Sequence, residues 1–185
     1  MILRFFRKMI KWLIAAVILY GVFYFFVLPY CLPRKYNDIV EKYTSVFHLD
    51  ESLVYAVIFC ESGFDPDAVS SAGAVGLMQV TEDTALWAVG KIAWLDEETF
   101  DLTTPEDNIA VGCWYLDWLN DSFDSQYTAL AAYNAGHGKV SEWLNENEHS
   151  SDGIHLENIP YAETDKYVKK VYIVRTLYRL FYGMQ

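Results

Sequence analysis

From Trp12 to Leu28 the chain reads WLIAAVILYGVFYFFVL without a single charge, and Met9 and Ile10 extend the apolar stretch past Lys11. A segment of this kind has few ways to fold. At 1.5 Å rise per residue it makes about 25–30 Å of helix, the thickness of a bilayer's hydrocarbon, and the Lys11 stem can carry its ammonium to the interface. Arg4, Arg7, Lys8 and Lys11 precede it, against Arg34 and Lys35 after it. That bias predicts a single-pass cell-membrane anchor with the N-terminus in the cytoplasm and the C-terminal body outside, on the cell-wall side. A cleaved signal peptide is the alternative, although the apolar region is long for one and no small-x-small cleavage pattern follows. LPYC, ending at Cys31, is a poor lipoprotein box because Tyr30 stands where a small residue is needed. Pro29 and Pro33 are expected to end the helix. The expected organisation is therefore residues 1–35 as tip, anchor and connector, and residues 36–185 as one soluble domain.

The body is acidic. The chain has 14 basic and 25 acidic residues, and the six basic residues before Tyr36 lie among no acids. With those six set aside, the remainder carries about −17 at neutral pH. Such a body repels phosphates, so nucleic acid is excluded as a partner. Cys31, Cys60 and Cys113 show neither CxxC nor Cys/His ligand spacing. Cys60 and Cys113 read as small core residues, with a 60–113 disulfide as the alternative.

No segment sustains a two-residue alternation, so the fold class is mainly α. Ile39, Val40, Tyr43 and Phe47 form one amphipathic stripe. Asp50 suits the N-cap of a helix through Ser62, stopped by Gly63. Thr81 caps a further helix with Glu82 and Asp83 in its first turn. Thr104-Pro105 opens another, with Asp107 resembling the second half of a capping box. Gln126 to Tyr133 is a short apolar helix closed by Asn134-Ala135-Gly136, a helix is expected from about Lys139, and the last runs from about Glu163 to Tyr182.

Glu61 is the residue of chemical interest. It ends an apolar helix and shares a face with Val54, Val57 and Ile58, seven, four and three positions earlier. A carboxylate beside apolar neighbours is poorly solvated, and the C-terminal helix dipole disfavours its charge too, so its pKa should rise. A carboxyl kept protonated near neutrality is a general acid. A lone glutamate at a helix end is more often a solvent-facing residue; the loop that follows argues otherwise. Gly63, Gly73 and Gly76 allow backbone to approach a ligand, and Gln79 sets an amide among Leu77, Met78 and Val80, where it needs a partner.

ESGFDPDAVSSAGAVGLMQV, from Glu61 to Val80, strongly resembles the glutamate–serine and Gly-Leu-Met-Gln signatures of the soluble lytic transglycosylase (SLT) family, relatives of goose-type lysozyme. AAYNAG (131–136) and IPYAETDKYV (159–168) resemble that family's third and fourth motifs, and TPEDNIAVGCWYLDWL its intervening helix. The resemblance covers residues 36–182, with four motifs in order. It implies a lysozyme-like domain that cuts the bond between N-acetylmuramic acid and N-acetylglucosamine without water, leaving 1,6-anhydro ends. It implies Glu61 as catalytic acid/base and Tyr133 as a catalytic partner that stabilises the transition state or orients Glu61. By the same resemblance Ser62, Ser70, Gly76, Met78, Gln79 and Asn134 face the substrate, and Glu163 and Tyr167 brace the cleft wall. Peptidoglycan glycan strands are the implied partner; no cofactor or metal is implied, and protein partners are left unspecified. Cys60 and Glu82 depart from the family's usual residues, which touches fine specificity rather than the catalytic groups.

The chemistry agrees with the residues near Glu61. Ordinary glycosidases need a second carboxylate, about 5 Å away in retaining enzymes and about 6.5–9.5 Å in inverting ones. Asp65 and Asp67, flanking Pro66, read instead as turn residues. The four histidines form no ligand cluster and are expected at the surface, with a cleft-edge contact open for His137. Among the tryptophans one sugar platform is conceivable, but helical spacing favours burial for Trp114 and Trp118. The runs 96–98 and 146–148 are expected to be solvated acidic faces. A hydrolytic muramidase of the same fold and a non-catalytic wall-binding scaffold are the competing readings.

Overall fold

The computed structural model describes residues 2–96 and 98–184, and it divides into two compact units, residues 1–35 and 36–185. Glu97, in the middle of the first acidic run, lies outside the described residues; its neighbours Asp96 and Glu98 are exposed, as are Glu146 to Glu148.

In the first unit α1 (Ile2–Val22) runs into a π-helical turn (Phe23–Val27) and then α2 (Leu28–Cys31). From Arg4 to Cys31 the helical run is long and apolar enough to cross a membrane. Pro29 does not end it, contrary to the expectation from sequence. Proline has no N–H and its ring strikes the carbonyl four residues back. Here Pro29 stands in the first turn of α2, where no N–H is needed. The turn before it is opened to π spacing, closed by Leu28 N–H on the Phe23 carbonyl. The run stops at Cys31, because Pro33 drives Leu32 out of the helical region.

The second unit is helical, and among the described residues it has no strand. Its helices are α3 (Asn37–Val46), α4 (Glu51–Glu61), α5 (Glu82–Val89), α6 (Pro105–Ser122), α7 (Gln126–Ala135), α8 (His137–Leu144) and α9 (Ala162–Tyr182). The starts follow local chemistry. Asp50, Thr81, Thr104 and Ser125 each accept a first-turn N–H with the side chain, at α4, α5, α6 and α7 respectively. The α6 box is half built: Thr104 accepts the Asp107 N–H, but the Asp107 carboxylate accepts the Asp101 N–H at 3.0 Å instead of returning to its cap. Helix α8 begins at His137, ahead of the expected Lys139. Gly136, at φ 91°, closes α7 and opens α8 with a single residue.

Helix α4 is the centre of the body. Every residue from Ser52 to Ile58 is buried, so a helix apolar on all sides is covered on all sides. It packs along α9, while α3 covers α4 and α6, and α7 lies between α6 and α9. Arg175 and Arg179 of α9 reach back to the Asp50 cap, Arg175 Nη2 at 2.8 Å. The loop between α4 and α5 folds on itself through bridges pairing Val75 with Val69 and Val80. All three cysteines are free; Cys113 is buried, Cys60 only half-buried, and the alternative 60–113 disulfide is not formed. Trp114 and Trp118 are half-buried rather than buried: Trp118 lines an open cleft between α5 and α6, and Trp114 meets Trp87 edge to face at 4.8 Å. His48 and His155 are exposed, whereas His149 is half-buried beside Glu146.

Candidate active site

Glu61 is the last residue of α4 and is half-buried: the helix is buried through Ile58, and Phe59, Cys60 and Glu61 emerge at its end before Ser62 and Gly63 turn the chain away. Burial drives the Glu61 pKa from 4.5 up to about 7, against the downward pull of the Tyr167 hydroxyl and of Lys170. Tyr167, on α9, is buried with its hydroxyl toward this carboxyl, and Glu61 is the group it is placed to donate to. Burial first, and then the Glu61 charge, hold the Tyr167 phenol far above its ordinary range. It is therefore a neutral donor toward Glu61. Lys170, one turn further along α9, sets its ammonium 5.7 Å from the centre of the Phe59 ring. It is the cation acting on both Glu61 and Cys60.

Tyr133 stands on α7 with its hydroxyl donating to the Met78 carbonyl at 2.9 Å. Burial and the nearby Glu61 charge keep it un-ionised. Its one proton is held by Met78, so toward Glu61 it presents lone pairs. The Met78 carbonyl is itself fixed. Met78 N–H donates to Asn108 Oδ1 at 2.8 Å, and Asn108 Nδ2 donates to the carbonyls of Val75 and Leu102 at 2.8 and 2.9 Å. A methyl group at Gly76 would overlap the Asn108 amide, and one at Gly112 would overlap the Met78 side chain. Both glycines thus allow α6 and the signature loop to lie against each other.

The other residues named from sequence divide by what they touch. Gln79 sits at φ 48°, in the left-handed region, and its Nε2 donates to the carbonyls of Ala68 and Gly76, both at 3.0 Å. Its partners are protein groups. Ser62 Oγ bonds the Leu77 carbonyl at 2.8 Å and the Ile58 carbonyl at 3.2 Å, tying the end of α4 to the loop. Ser70 closes the turn to Ala74. The Met78 side chain is fully buried. Asn134 accepts the Thr164 hydroxyl at 2.8 Å, joining α7 to α9, and Glu163 is exposed one turn before Tyr167. Ser62, Ser70, Gly76 and Met78 are therefore engaged in shaping the loop. Gln79, Tyr133 and Asn134 border a cavity of about 280 Å³ together with Thr84 and Tyr115. A second cavity, of about 520 Å³, continues past Asn134 and Ala135 to Tyr161 and Glu163.

Asn108, Gly112 and Lys170 were not singled out from sequence. Asn108 follows Glu106 and Asp107 in the first turn of α6, where an amide reads as an ordinary polar helix start. Lys170 offered none, because its role depends on α9 lying beside the end of α4. Asp65 and Asp67 are exposed, and Asp65 accepts the Asp67 N–H at 3.0 Å, which is a turn. Among the described residues no second carboxylate is one of the groups that shift Glu61. Among the described residues no group of acids, histidines and cysteines is arranged to hold a metal ion.

The sequence profile of the transglycosylase SLT domain matches residues 38–155. The soluble lytic murein transglycosylase of Escherichia coli K12 is 36% identical over 154 residues, covering 82% of this chain and 24% of that protein. The membrane-bound lytic murein transglycosylase C of Sodalis glossinidius is 31% identical over 168 residues, covering 79% and 47%. Among solved structures, the 70 kDa soluble lytic transglycosylase of E. coli aligns with a TM-score of 0.73 at 35% identity, over 84% of this chain and 26% of that one. An inactive mutant of lytic transglycosylase Slt from Pseudomonas aeruginosa aligns with a TM-score of 0.72 at 30% identity, over 84% and 26%. This chain thus spans about a quarter of the soluble relatives and about half of the membrane-bound one.

Proposed function

The chain belongs to the transglycosylase SLT domain family, and from that premise we propose that it is a peptidoglycan lytic transglycosylase in which Glu61 serves first as acid and then as base. What carries the proposal is a single carboxyl at the end of a buried apolar helix, pushed up to about 7 by burial, with Tyr167 and Lys170 beside it and no second carboxylate among the described residues acting on it.

Glu61 in its neutral form gives its proton to the oxygen joining N-acetylmuramic acid to N-acetylglucosamine, and the C1–O bond breaks. The departing sugar leaves with that proton as a hydroxyl. The muramyl C1 is then electron-poor, and the Glu61 carboxylate removes the proton from the same sugar's 6-hydroxyl as O6 closes on C1. The product is a 1,6-anhydro end, the carboxyl has its proton back, and no water is consumed. An attacking group supplied by the substrate makes a second enzymatic carboxylate unnecessary. The Tyr167 hydroxyl is suited to steady the carboxylate form between the two steps. Tyr133 holds the Met78 loop and offers an acceptor to the neutral form.

The N-terminal helix is proposed to hold the enzyme in the membrane with the domain on the wall side. It is supported by the basic residues ahead of the apolar run, and one relative is named as membrane-bound.

Mass spectrometry of sacculus digests tests the reaction. Anhydromuramyl ends are expected; reducing ends would instead make the enzyme a hydrolytic muramidase. A Glu61→Gln protein that cleared walls as well as the parent would leave no role for this carboxyl. For the anchor, protease added to intact spheroplasts should remove the C-terminal domain and spare the tip. A fully protected domain would reverse the orientation.

A further inference from the structure

Helix α4 comes out of the interior through Phe59, Cys60 and Glu61, all half-buried, and α9 packs along it. Of the eight basic residues in the acidic body, five lie on α9: Lys166, Lys169, Lys170, Arg175 and Arg179. Their partners tell them apart. Arg175 and Arg179 bond Asp50, and Lys169 pairs with Asp165 at 2.7 Å. Lys170 meets a ring instead, its ammonium 5.7 Å from the centre of Phe59. That is inside the distance of about 6 Å at which a cation feels the negative face of an aromatic ring.

Lys170 follows Tyr167 by three positions, so it lies one turn further along the same side of α9. A phenol and then an ammonium are therefore presented to the end of α4. The other ionisable groups around Glu61 are neutral. They are Tyr133 from α7, Tyr167 from α9, and the Cys60 thiol on its own helix, pushed up to about 12 by burial. In the loop that follows, Asp65 and Asp67 are exposed in their turn. Among the groups that shift Glu61, Lys170 is the one that carries a charge, and it acts through space without a hydrogen bond.

The separation has a chemical consequence. A cation in contact with a carboxylate favours the charged form strongly, as Arg175 does for Asp50 at 2.8 Å, and a carboxyl so held has no proton to give near neutrality. With no cation at all, burial is unopposed, and a carboxyl whose pKa climbs further is a weaker acid. A cation close by but out of contact avoids both outcomes. A lysine stem on an exposed helix face would otherwise carry its ammonium into water. The ring two residues before Glu61 gives it a reason to stay.

We propose that Phe59 and Lys170 are a positioning pair, the ring holding the ammonium at a stand-off from Glu61 so that this carboxyl can both give a proton and take one back. The pair rests on the acid-then-base reading of Glu61 above and adds to it the two residues that set the balance between the steps. Both act through Glu61.

The test reads Glu61 directly, by carbon-13 NMR of the detergent-solubilised full chain labelled at its glutamate carboxyls. The Glu61 signal is the one missing from Glu61→Gln. Lys170→Met should raise the midpoint of its titration by about half a pH unit. Lys170→Arg, which keeps the charge and can lie on a ring, should hold it near the parent's. Phe59→Leu, which keeps the lysine and removes the ring, should raise it by less, and should add nothing once Lys170 is replaced by Met. An unmoved midpoint in Lys170→Met, or an unmoved or lowered one in Phe59→Leu, would overturn the pair. So would equal shifts by Phe59→Leu with and without the lysine, which mark a packing change. On soluble glycan strands, Lys170→Met should lower kcat severalfold with KM unchanged; a raised KM with an unmoved titration would make Lys170 a substrate contact instead. The reading beneath is judged by other data. Reducing ends among the products, or wall clearing by Glu61→Gln, would remove the transglycosylase while the NMR midpoints still decide the pair.

Discussion

Asp50 and Glu61 stand at the two ends of one helix and meet opposite fates. At the N-terminal end burial pushes the Asp50 pKa up, but the Ser52 hydroxyl and the guanidiniums of Arg175 and Arg179 outweigh it, and the pKa falls below 3.8. The positive end of the α4 dipole acts in the same direction. At the other end no arginine approaches, the dipole is reversed, and burial prevails. The same functional group thus has its charge favoured at one end and disfavoured at the other. What separates the two is the company each keeps, since both are partly withdrawn from water.

The largest test of that contrast is at Glu61. Glu61→Gln is expected to lower the lytic rate by about 10²–10⁴-fold while the protein stays folded. In the parent, activity should fall as pH rises through about 7, where the acid form is lost. Stability follows the same group. Its folded pKa lies above its ordinary 4.5, so its contribution is fully present below about 4.5 and lost as pH rises toward 7. Gln carries no such dependence. Thermal unfolding of the two proteins from pH 4 to 8 should show the mutant gaining on the parent by as much as about 3 kcal/mol. A gap that stayed constant with pH would mean the carboxyl is solvated.

Asp50→Ala should be the mirror image: a loss of about 2–4 kcal/mol in denaturant unfolding, because Arg175 keeps its charge with no carboxylate beside it. The alkaline limb of the rate profile should stay put. For the parent, the Asp50 contribution is present above pH 3.8 and disappears as acidity carries it through its lower folded value. An Asp50→Ala protein as stable as the parent would remove Asp50 from the comparison.

Gly112→Ala reaches the site from α6. The added methyl displaces Met78, whose carbonyl holds Tyr133, and a drop in kcat of about 10–100-fold is expected from misplacement alone. Unaltered kcat would show that the loop tolerates the shift. The mildest change is Lys170→Met. Removing the cation that pulls Glu61 down should move the alkaline limb upward, and a downward movement would contradict the assignment.

Local chemistry was readable in the sequence, and long-range partners were not. The caps at Asp50, Thr81 and Thr104 act within three residues, so residue order was enough to find them. Glu61 could be read because the apolar face beneath it belongs to its own helix. Asn108 works across 30 residues to Met78, and Arg175 across 125 to Asp50; no local pattern announces either. The loop bonds of Ser62 and Ser70 were not readable, since a hydroxyl in a tight loop meets backbone groups that only the folded turn brings near. Trp118 was expected in the core. Its spacing was right for burial, but only the position of α5 shows that one side of α6 opens onto a cleft.

Gly136 joins these observations. One backbone dihedral, at φ 91° where a residue with a β-carbon is strained, lets α7 stop and α8 start without a linker, and so sets Tyr133 and His137 four positions apart on two different helices. An alanine at that place would disturb the seating of both helices simultaneously.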